Sequence, residues 1–360
     1  MTPRGSSRCA ITRVAPRRGS GCEHQPEHRI AFRVEAMDFS VIICTYNRAG
    51  NLPRCLDALV RQEEVAGIAW EVLVVDNNSN DGTAEVVAEL ARTLPVEIRC
   101  VREPQQGLNH ARNTGIRHSR GRFFAYVDDD ILVSPRWLGS IHRNFLANDA
   151  DAVGGRIHLD PAIVLPAWIR PDTDMIGFLG YQDYGDEPFR LDGIRRYPYG
   201  GNMSFDRRVV ERIGYFNPKV GRKGAGQKRS ELFKGAETDY MHRLAAAGDA
   251  RIFYEPDAIV YHQVMPFQLR KKYFRTIHYN AGYQRAFYDD TRHPHEVFGI
   301  PRHMYPMLAQ ALRRYVWQAL TRGPDWAFRQ QMNLAHLLGT MQGRFDARRR
   351  LRDAIAANAR

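Results

Sequence analysis

The chain has 360 residues, 44% of them hydrophobic, and a formal charge of +12, enough length for a large core and two sub-domains. No apolar run approaches the roughly 18 residues that span a bilayer, and no apolar stretch of signal-peptide type lies near Met1. Five cysteines (Cys9, Cys22, Cys44, Cys55, Cys100) without a C-x-x-C pair argue against a disulfide framework or a structural zinc site, so a reducing cytoplasmic setting is expected.

Residues 1–36 hold 7 basic and 3 acidic side chains among many Arg, Ser, Gly and Pro, and read as a disordered basic leader. Met37 directly precedes the first strand and is an alternative start. From Phe39 short apolar strands alternate with helical stretches. Strands are expected at Phe39–Cys44, Trp70–Val75, Val96–Val101 and Arg122–Val127. Helices are expected near 50–62, at Gly82–Leu94 and at Gly107–Ser119. This rhythm predicts a mostly parallel α/β sheet with helices on both faces, where ligands bind beyond the carboxyl ends of the strands.

The polar clusters fall at those ends: Thr45-Tyr46-Asn47-Arg48, Asp76-Asn77-Asn78-Ser79 and Asp128-Asp129-Asp130. Three carboxylates closing a buried strand need a cation or a proton to offset them. Oxygen ligands of this kind suit Mg²⁺ or Mn²⁺ carrying a phosphate-bearing substrate; an exposed acidic turn is the alternative.

After Ala152 the periodicity weakens. Residues 158–199 contain five prolines and seven aromatics and read as an ordered covering segment. Residues 218–230, rich in Gly, Lys and Arg, read as a mobile loop that lacks the Gly-Lys-Ser/Thr of a P-loop. A helix at Glu237–Ala247 and strands near 251–254 and 258–262 follow. Beyond 265 the chain is helical, with Met304, Leu308, Leu312, Tyr315 and Ala319 on one face. This last region holds 17 basic and 6 acidic residues, whereas residues 37–264 hold 28 and 31. Basicity at the ends alone speaks against a nucleic-acid reader. The tail arginines Arg344, Arg348, Arg349, Arg350 and Arg352 read as a solvated helix face or as a surface drawn to anionic lipid.

The segments Val41–Arg48, Val74–Thr83, Gly107–Gly115, Phe124–Asp130, Gly200–Phe205, Gly235–Tyr240 and Ala258–His262 together resemble the family-2 glycosyltransferases, which have the GT-A fold. The resemblance implies a catalytic domain over 38–264, with a nucleotide-sugar half at 38–130 and an acceptor half at 131–264, followed by a helical extension at 265–360. It also implies an inverting, metal-assisted transfer from a nucleotide-diphosphate sugar to a hydroxyl of a glycan or lipid-linked acceptor. The divalent metal would be Mn²⁺ or Mg²⁺. Apart from the resemblance, the cysteine usage, the basic C-terminal region and the want of a spanning run lead us to expect a cytoplasmic setting, peripheral to the inner face of a membrane.

Carried onto this chain, the resemblance assigns the nucleotide to Thr45, Tyr46, Asp76, Arg112 and Asp129, with Asp76 accepting the imide N–H of a uracil or thymine. Asp76 with Ser79 alternatively caps a turn, Arg112 alternatively pairs with the acidic cluster, and Asp129 alternatively points away as a structural group. Asn77 stands where many relatives carry a second Asp. Asp128, Asp130 and His262 would hold the metal. Glu237 would be the catalytic base, with Asp239 as competitor, although Ala236 replaces the acid that usually precedes it. Asn202 and Trp168, with Tyr181 and Tyr184, would meet the acceptor unless the aromatics simply pack. Two rivals follow: a sugar-1-phosphate nucleotidyltransferase, which would need a Gly-rich basic loop after the first strand, and a non-catalytic nucleotide-sugar-binding relative.

Overall fold

Alternation along the first strands sends successive side chains to opposite faces of one sheet. Val41, Ile43, Val72, Val74, Phe123 and Ala125 enter one core with Leu52, Leu56 and Trp137. Ile42, Leu73, Val75, Phe124 and Tyr126 enter a second with Phe205, Tyr240 and Leu244. Strands this continuously apolar need cover on both faces.

The computed structural model describes residues 37–358 apart from 171–173, 225–227, 234, 290 and 292; the side chains of 174 and 352–358 are also outside the description. The expected leader, the middle of the 218–230 loop and the Arg352 side chain thus lie outside the described residues. Four parallel strands form the first half: β1 (Phe39–Thr45), β2 (Trp70–Asp76), β3 (Glu97–Arg102) and β4 (Phe123–Asp128). Helices α1 (Leu52–Val60), α2 (Thr83–Thr93) and α3 (Leu108–His118) separate them. The second half adds β5 (Ile131–Val133), α4 (Trp137–Asn148), β6 (Ala152–Leu159), β7 (Phe189–Leu191), β8 (Met203–Asp206), α5 (Arg207–Ile213), α6 (Ala236–Ala246) and β9 (Ile252–His262).

The strand order is β3-β2-β1-β4-β8-β6-β9-β5, with β7 beside β9. β8 runs antiparallel to both β4 and β6, so the parallel run stops there. Register pairs Thr45 with Asp76 and Cys44 with Asp128, which brings the three polar strand ends to one edge. The two strands expected at 251–254 and 258–262 are one, β9. Its pairing with β6 runs to Glu255 and resumes at Val260, so Pro256 falls in the irregular stretch where it interrupts no ladder bond to β6.

The C-terminal region contains α7 (Lys271–Phe287), a small hairpin of β10 (Glu296–Val297) and β11 (Ile300–Pro301), α8 (Met304–Arg322) and α9 (Phe328–Asn358). α7 and α9 approach closely because glycines line the crossing. A β-carbon on Gly339 would overlap the Tyr279 carbonyl oxygen, and one on Gly282 the His336 carbonyl oxygen. A third apolar cluster joins this region to the covering segment through Ile169, Leu179, Phe274, Ile277 and Phe328. Among the described residues no helix is long and apolar enough to cross a membrane.

Candidate active site

The strand ends open into a cleft of about 1000 Å³, lined by residues of β1, α3, β4, the covering segment, the 218–224 loop and the start of α6. Asp128, Asp129 and Asp130 form its floor, and burial decides their behaviour. Withdrawal from water raises the Asp128 carboxyl, with Asp130 adding to the rise and Arg112, Arg222 and His262 opposing it. Burial also raises Asp129, against Arg48 and the Thr45 hydroxyl. Asp130 goes the other way: burial would raise it, but His262 and Arg48 together hold it well below the usual carboxylate range.

Those partners are close. Arg48 Nη1 donates to Asp129 at 2.9 Å and to Asp130 at 2.6 Å, and Thr45 Oγ1 donates to Asp129 at 2.7 Å. His262 Nε2 faces Asp130 at 3.5 Å, while its Nδ1 lies 2.6 Å from the Leu179 carbonyl. That carbonyl can only accept, so Nδ1 carries a proton and Nε2 is the nitrogen turned to the carboxylates. Metal-binding histidines are commonly oriented in this way.

Two carboxylates and an imidazole are a reasonable donor set for Mn²⁺ or Mg²⁺. Among the described residues, however, no three His, Cys, Asp or Glu side chains close into a group that could hold a metal alone. Asp128, Asp130 and His262 therefore share a cleft without forming a cage. A partial set fits an ion that takes further oxygens from substrate phosphates, the usual mode for Mg²⁺.

Arg112 has only 2% of its side chain exposed and lies over the rings of Phe216 and Tyr126, at 5.3 and 5.7 Å. Gly200 leaves it room, since a β-carbon there would overlap Nη2. Nη1 stands 3.9 Å from Glu237 and makes no hydrogen bond. A buried guanidinium with a spare donor is costly unless a ligand takes it. Arg222, on the 218–224 loop, adds a second cation in the field of Asp128, Asp130 and Glu237. Neither Arg48 nor Arg222 stood out in the sequence as a site residue. Arg48 had a signal in the strand-end motif, whereas Arg222 sat in a loop whose basic residues looked solvated.

Glu237 occupies the first turn of α6, partly exposed, and lines the cleft. Asp239 is instead paired with Arg243 at 3.1 Å, one turn along the same helix, and does not line the cleft. Tyr46 lines the cleft too. Asp76 does not; one of its oxygens accepts the Ser79 amide at 2.9 Å, the turn-capping alternative.

Two expectations, the acceptor contacts of Asn202 and Trp168, are corrected. Asn202 is fully buried: its amide nitrogen donates to the Arg156 and Ala258 carbonyls and its oxygen accepts Trp137 Nε1. Those bonds hold the Gly200-Gly201 turn in place and leave nothing for an acceptor. Trp168 packs edge-on against Phe274 and Phe328, away from the cleft, because its large apolar ring is better buried there. Asn77, in place of an acid, donates to the Glu103 and Gln105 carbonyls and accepts the Gly107 amide. A carboxylate could not donate those bonds. Tyr181 and Tyr184 do line the cleft, joined there by Tyr197 and Tyr199.

The sequence model described as glycosyl transferase family 2 matches residues 40–214. Glycosyltransferase AglE of Haloferax volcanii is 29% identical over 237 residues, 66% of this chain and 70% of that one. The glucosyl-dolichyl phosphate glucuronosyltransferase of the same organism is 24% identical, covering 70% and 78%. Among solved structures, the mannosyltransferase PcManGT of Pyrobaculum calidifontis, in complex with GDP-Man and Mn²⁺, superposes with a TM-score of 0.54. It is 20% identical and covers 86% of this chain and 87% of its own. That likeness speaks for the GT-A fold.

Proposed function

The chain belongs to glycosyl transferase family 2 through residues 40–214, and on that premise we propose an inverting transfer from a nucleotide-diphosphate sugar to an acceptor hydroxyl. The observation that carries the reading is Arg112, a buried cation with an unused N–H in a cleft that also holds three carboxylates. Arg112 and Arg222 receive the diphosphate oxygens, and the planar guanidinium forks suit that geometry. Thr45 and Tyr46 border the nucleotide. Asp128, Asp130 and His262 hold the divalent ion, which when bound offsets charge on the departing diphosphate.

Glu237 is the general base. Its carboxylate takes the proton of the acceptor hydroxyl as the oxygen attacks the anomeric carbon. The nucleoside diphosphate leaves from the opposite face, and the configuration inverts. Arg112, 3.9 Å from Glu237, keeps that carboxylate oriented toward the acceptor side. The aromatic rim of Tyr181, Tyr184, Tyr197 and Tyr199 offers flat faces to a sugar acceptor. A lipid-linked acceptor is in keeping with the relative named for glucosyl-dolichyl phosphate.

The test is a thermal-shift screen of nucleotide sugars with and without Mn²⁺, followed by an assay for nucleoside diphosphate release. One nucleotide sugar should raise the melting temperature more with Mn²⁺ than without, since a native-state ligand stabilises by mass action. It should also be turned over with an acceptor. Stabilisation by a nucleoside triphosphate with sugar-1-phosphate turnover would support the nucleotidyltransferase instead.

A further inference from the structure

The face expected on α8, built from Met304, Leu308, Leu312, Tyr315 and Ala319, turns inward only in part: Met304 is buried and Tyr315 Oη accepts from Gln331 of α9, but Leu312 is 49% exposed, a correction to that expectation. The adjoining exposed face is apolar as well. Tyr305, Leu312, Val316, Trp317 and Leu320 lie along it, with Trp317 68% and Leu320 80% exposed. A helix face with this many large apolar side chains normally has cover, even where polar positions such as Gln310, Arg313 and Arg314 flank it. Here one side has none among the described residues.

The hairpin before α8 extends the same surface. Its two-residue tip, Phe298-Gly299, has positive φ at both positions (55° and 80°), where such turns favour Asn-Gly. Phe298 is nevertheless 77% exposed there. Tyr305 of the exposed face donates its hydroxyl to the Val297 carbonyl at 3.1 Å, which ties hairpin and helix together. A bulky ring held in an unfavourable backbone region, pointing at solvent, has no packing explanation among the described residues.

We propose that this face, Phe298 with Tyr305, Leu312, Val316, Trp317 and Leu320, docks on an anionic lipid bilayer surface. Charge selects the occupant. α8 contains Arg313, Arg314 and Arg322 and no acidic residue, within a region of 17 basic and 6 acidic side chains. Two copies meeting face to face would oppose like charges, whereas anionic headgroups complement them. Aromatic rings, leucines and flanking arginines are the composition of helices that lie in the membrane interface. The tail arginines have other employment: Arg344 donates to the Thr291 carbonyl at 2.8 Å and pairs with Asp289, and Arg350 lies over the Phe287 ring. Docking rests on the transferase reading for its purpose, placing the cleft near a lipid-linked acceptor. The binding itself needs no turnover.

The experiment is co-sedimentation of the full chain with phosphatidylcholine vesicles and with vesicles enriched in phosphatidylglycerol, without donor. The wild type should partition to the anionic vesicles, and less so as salt shortens the Debye length below about 8 Å. Trp317→Ser/Leu320→Ser should lower that partitioning at least about tenfold with an unchanged melting temperature, because both side chains are largely in water. Leu312→Ser/Val316→Ser is the second variant, and Arg348→Gln/Arg350→Gln should cost less than about threefold. Three results would overturn the proposal: equal partitioning of wild type and both α8 variants, no preference for anionic lipid, or a concentration-dependent dimer of the wild type that the α8 variants abolish. Because the readout is vesicle binding, failure here leaves the transfer reading standing, and an inactive enzyme that still binds vesicles leaves docking standing.

Discussion

Two neighbouring strand ends carry clusters of carboxylate and amide groups, and they are satisfied in opposite ways. At the end of β2, Asp76 accepts the Ser79 amide, Asp81 accepts the Ala49 amide and the Thr83 hydroxyl, and Asn47 accepts the Asn80 amide. These partners are backbone or an uncharged hydroxyl, fixed by the turns themselves; a cation enters only at Asn78, whose oxygen accepts from Arg102 at 2.8 Å, and none pairs with the carboxylates Asp76 and Asp81 among the described residues. At the end of β4 the Thr45 hydroxyl bonds Asp129, but the other partners are side-chain cations: Arg48 and His262 directly, Arg112 and Arg222 at longer range. Backbone amides cannot leave a carboxylate without unmaking the fold. Arginines and a histidine can re-pair when a phosphate or a metal arrives. The first cluster is scaffold, and the second is held in readiness for a ligand.

The largest expected effect tests that division at β4. Asp130→Asn should lower turnover by about a thousandfold or more while the protein still unfolds cooperatively, and excess EDTA should silence the wild type to a similar degree. Undiminished turnover in EDTA would end the metal assignment. At β2 the expectation is reversed. Asn77→Asp should destabilise by about 1–3 kcal/mol in denaturant titrations, because a carboxylate would face the Glu103 and Gln105 carbonyls. Turnover at saturating donor should stay within about threefold. A stable but inactive Asn77→Asp protein would erase the contrast.

The smallest effect is in the acid dependence of stability. Burial opposes ionisation of Asp81, but the Thr83 hydroxyl and the Ala49 amide outweigh it and lower its carboxyl. A depressed folded value means that its stabilisation is complete above the unfolded value of about 3.9 and is lost as pH falls through the folded one. Thermal melts of Asp81→Asn should therefore be flatter than wild type below about pH 4, with turnover at neutral pH nearly unchanged.

How much of this was legible depended on local signal. Strands β1 to β4 could be read because each is a short apolar run closed by polar turn residues, a signal that survives without knowledge of partners. β5, three residues long, and the four residues of β8 are too short for such a signal; pairing with β9 and β4 defines them. The runs at 251–254 and 258–262 read as two strands because a gap in a ladder cannot be told from a break when one strand is seen alone. Asn202 looked like an acceptor ligand in its Gly-Gly-Asn turn, yet its carbonyl partners lie 46 and 56 residues away. Trp168 was ambiguous for the same reason: stacking on a sugar and packing on Phe274 ask for the same ring. The carboxylate triplet and Glu237 were legible as chemistry, but the arginines opposite them come from distant loops and required the fold.

The central claim is that Glu237 acts on the acceptor while the arginines and the triplet hold the donor. Glu237→Gln measures it most directly, with donor affinity by calorimetry and transfer by nucleoside diphosphate release on the same preparation. Transfer should fall by about 10²–10⁴-fold, with the donor dissociation constant within about threefold of wild type. Asp239→Asn should remain active. A Glu237→Gln protein that transfers normally, beside an inactive Asp239→Asn that still binds donor, would contradict the account.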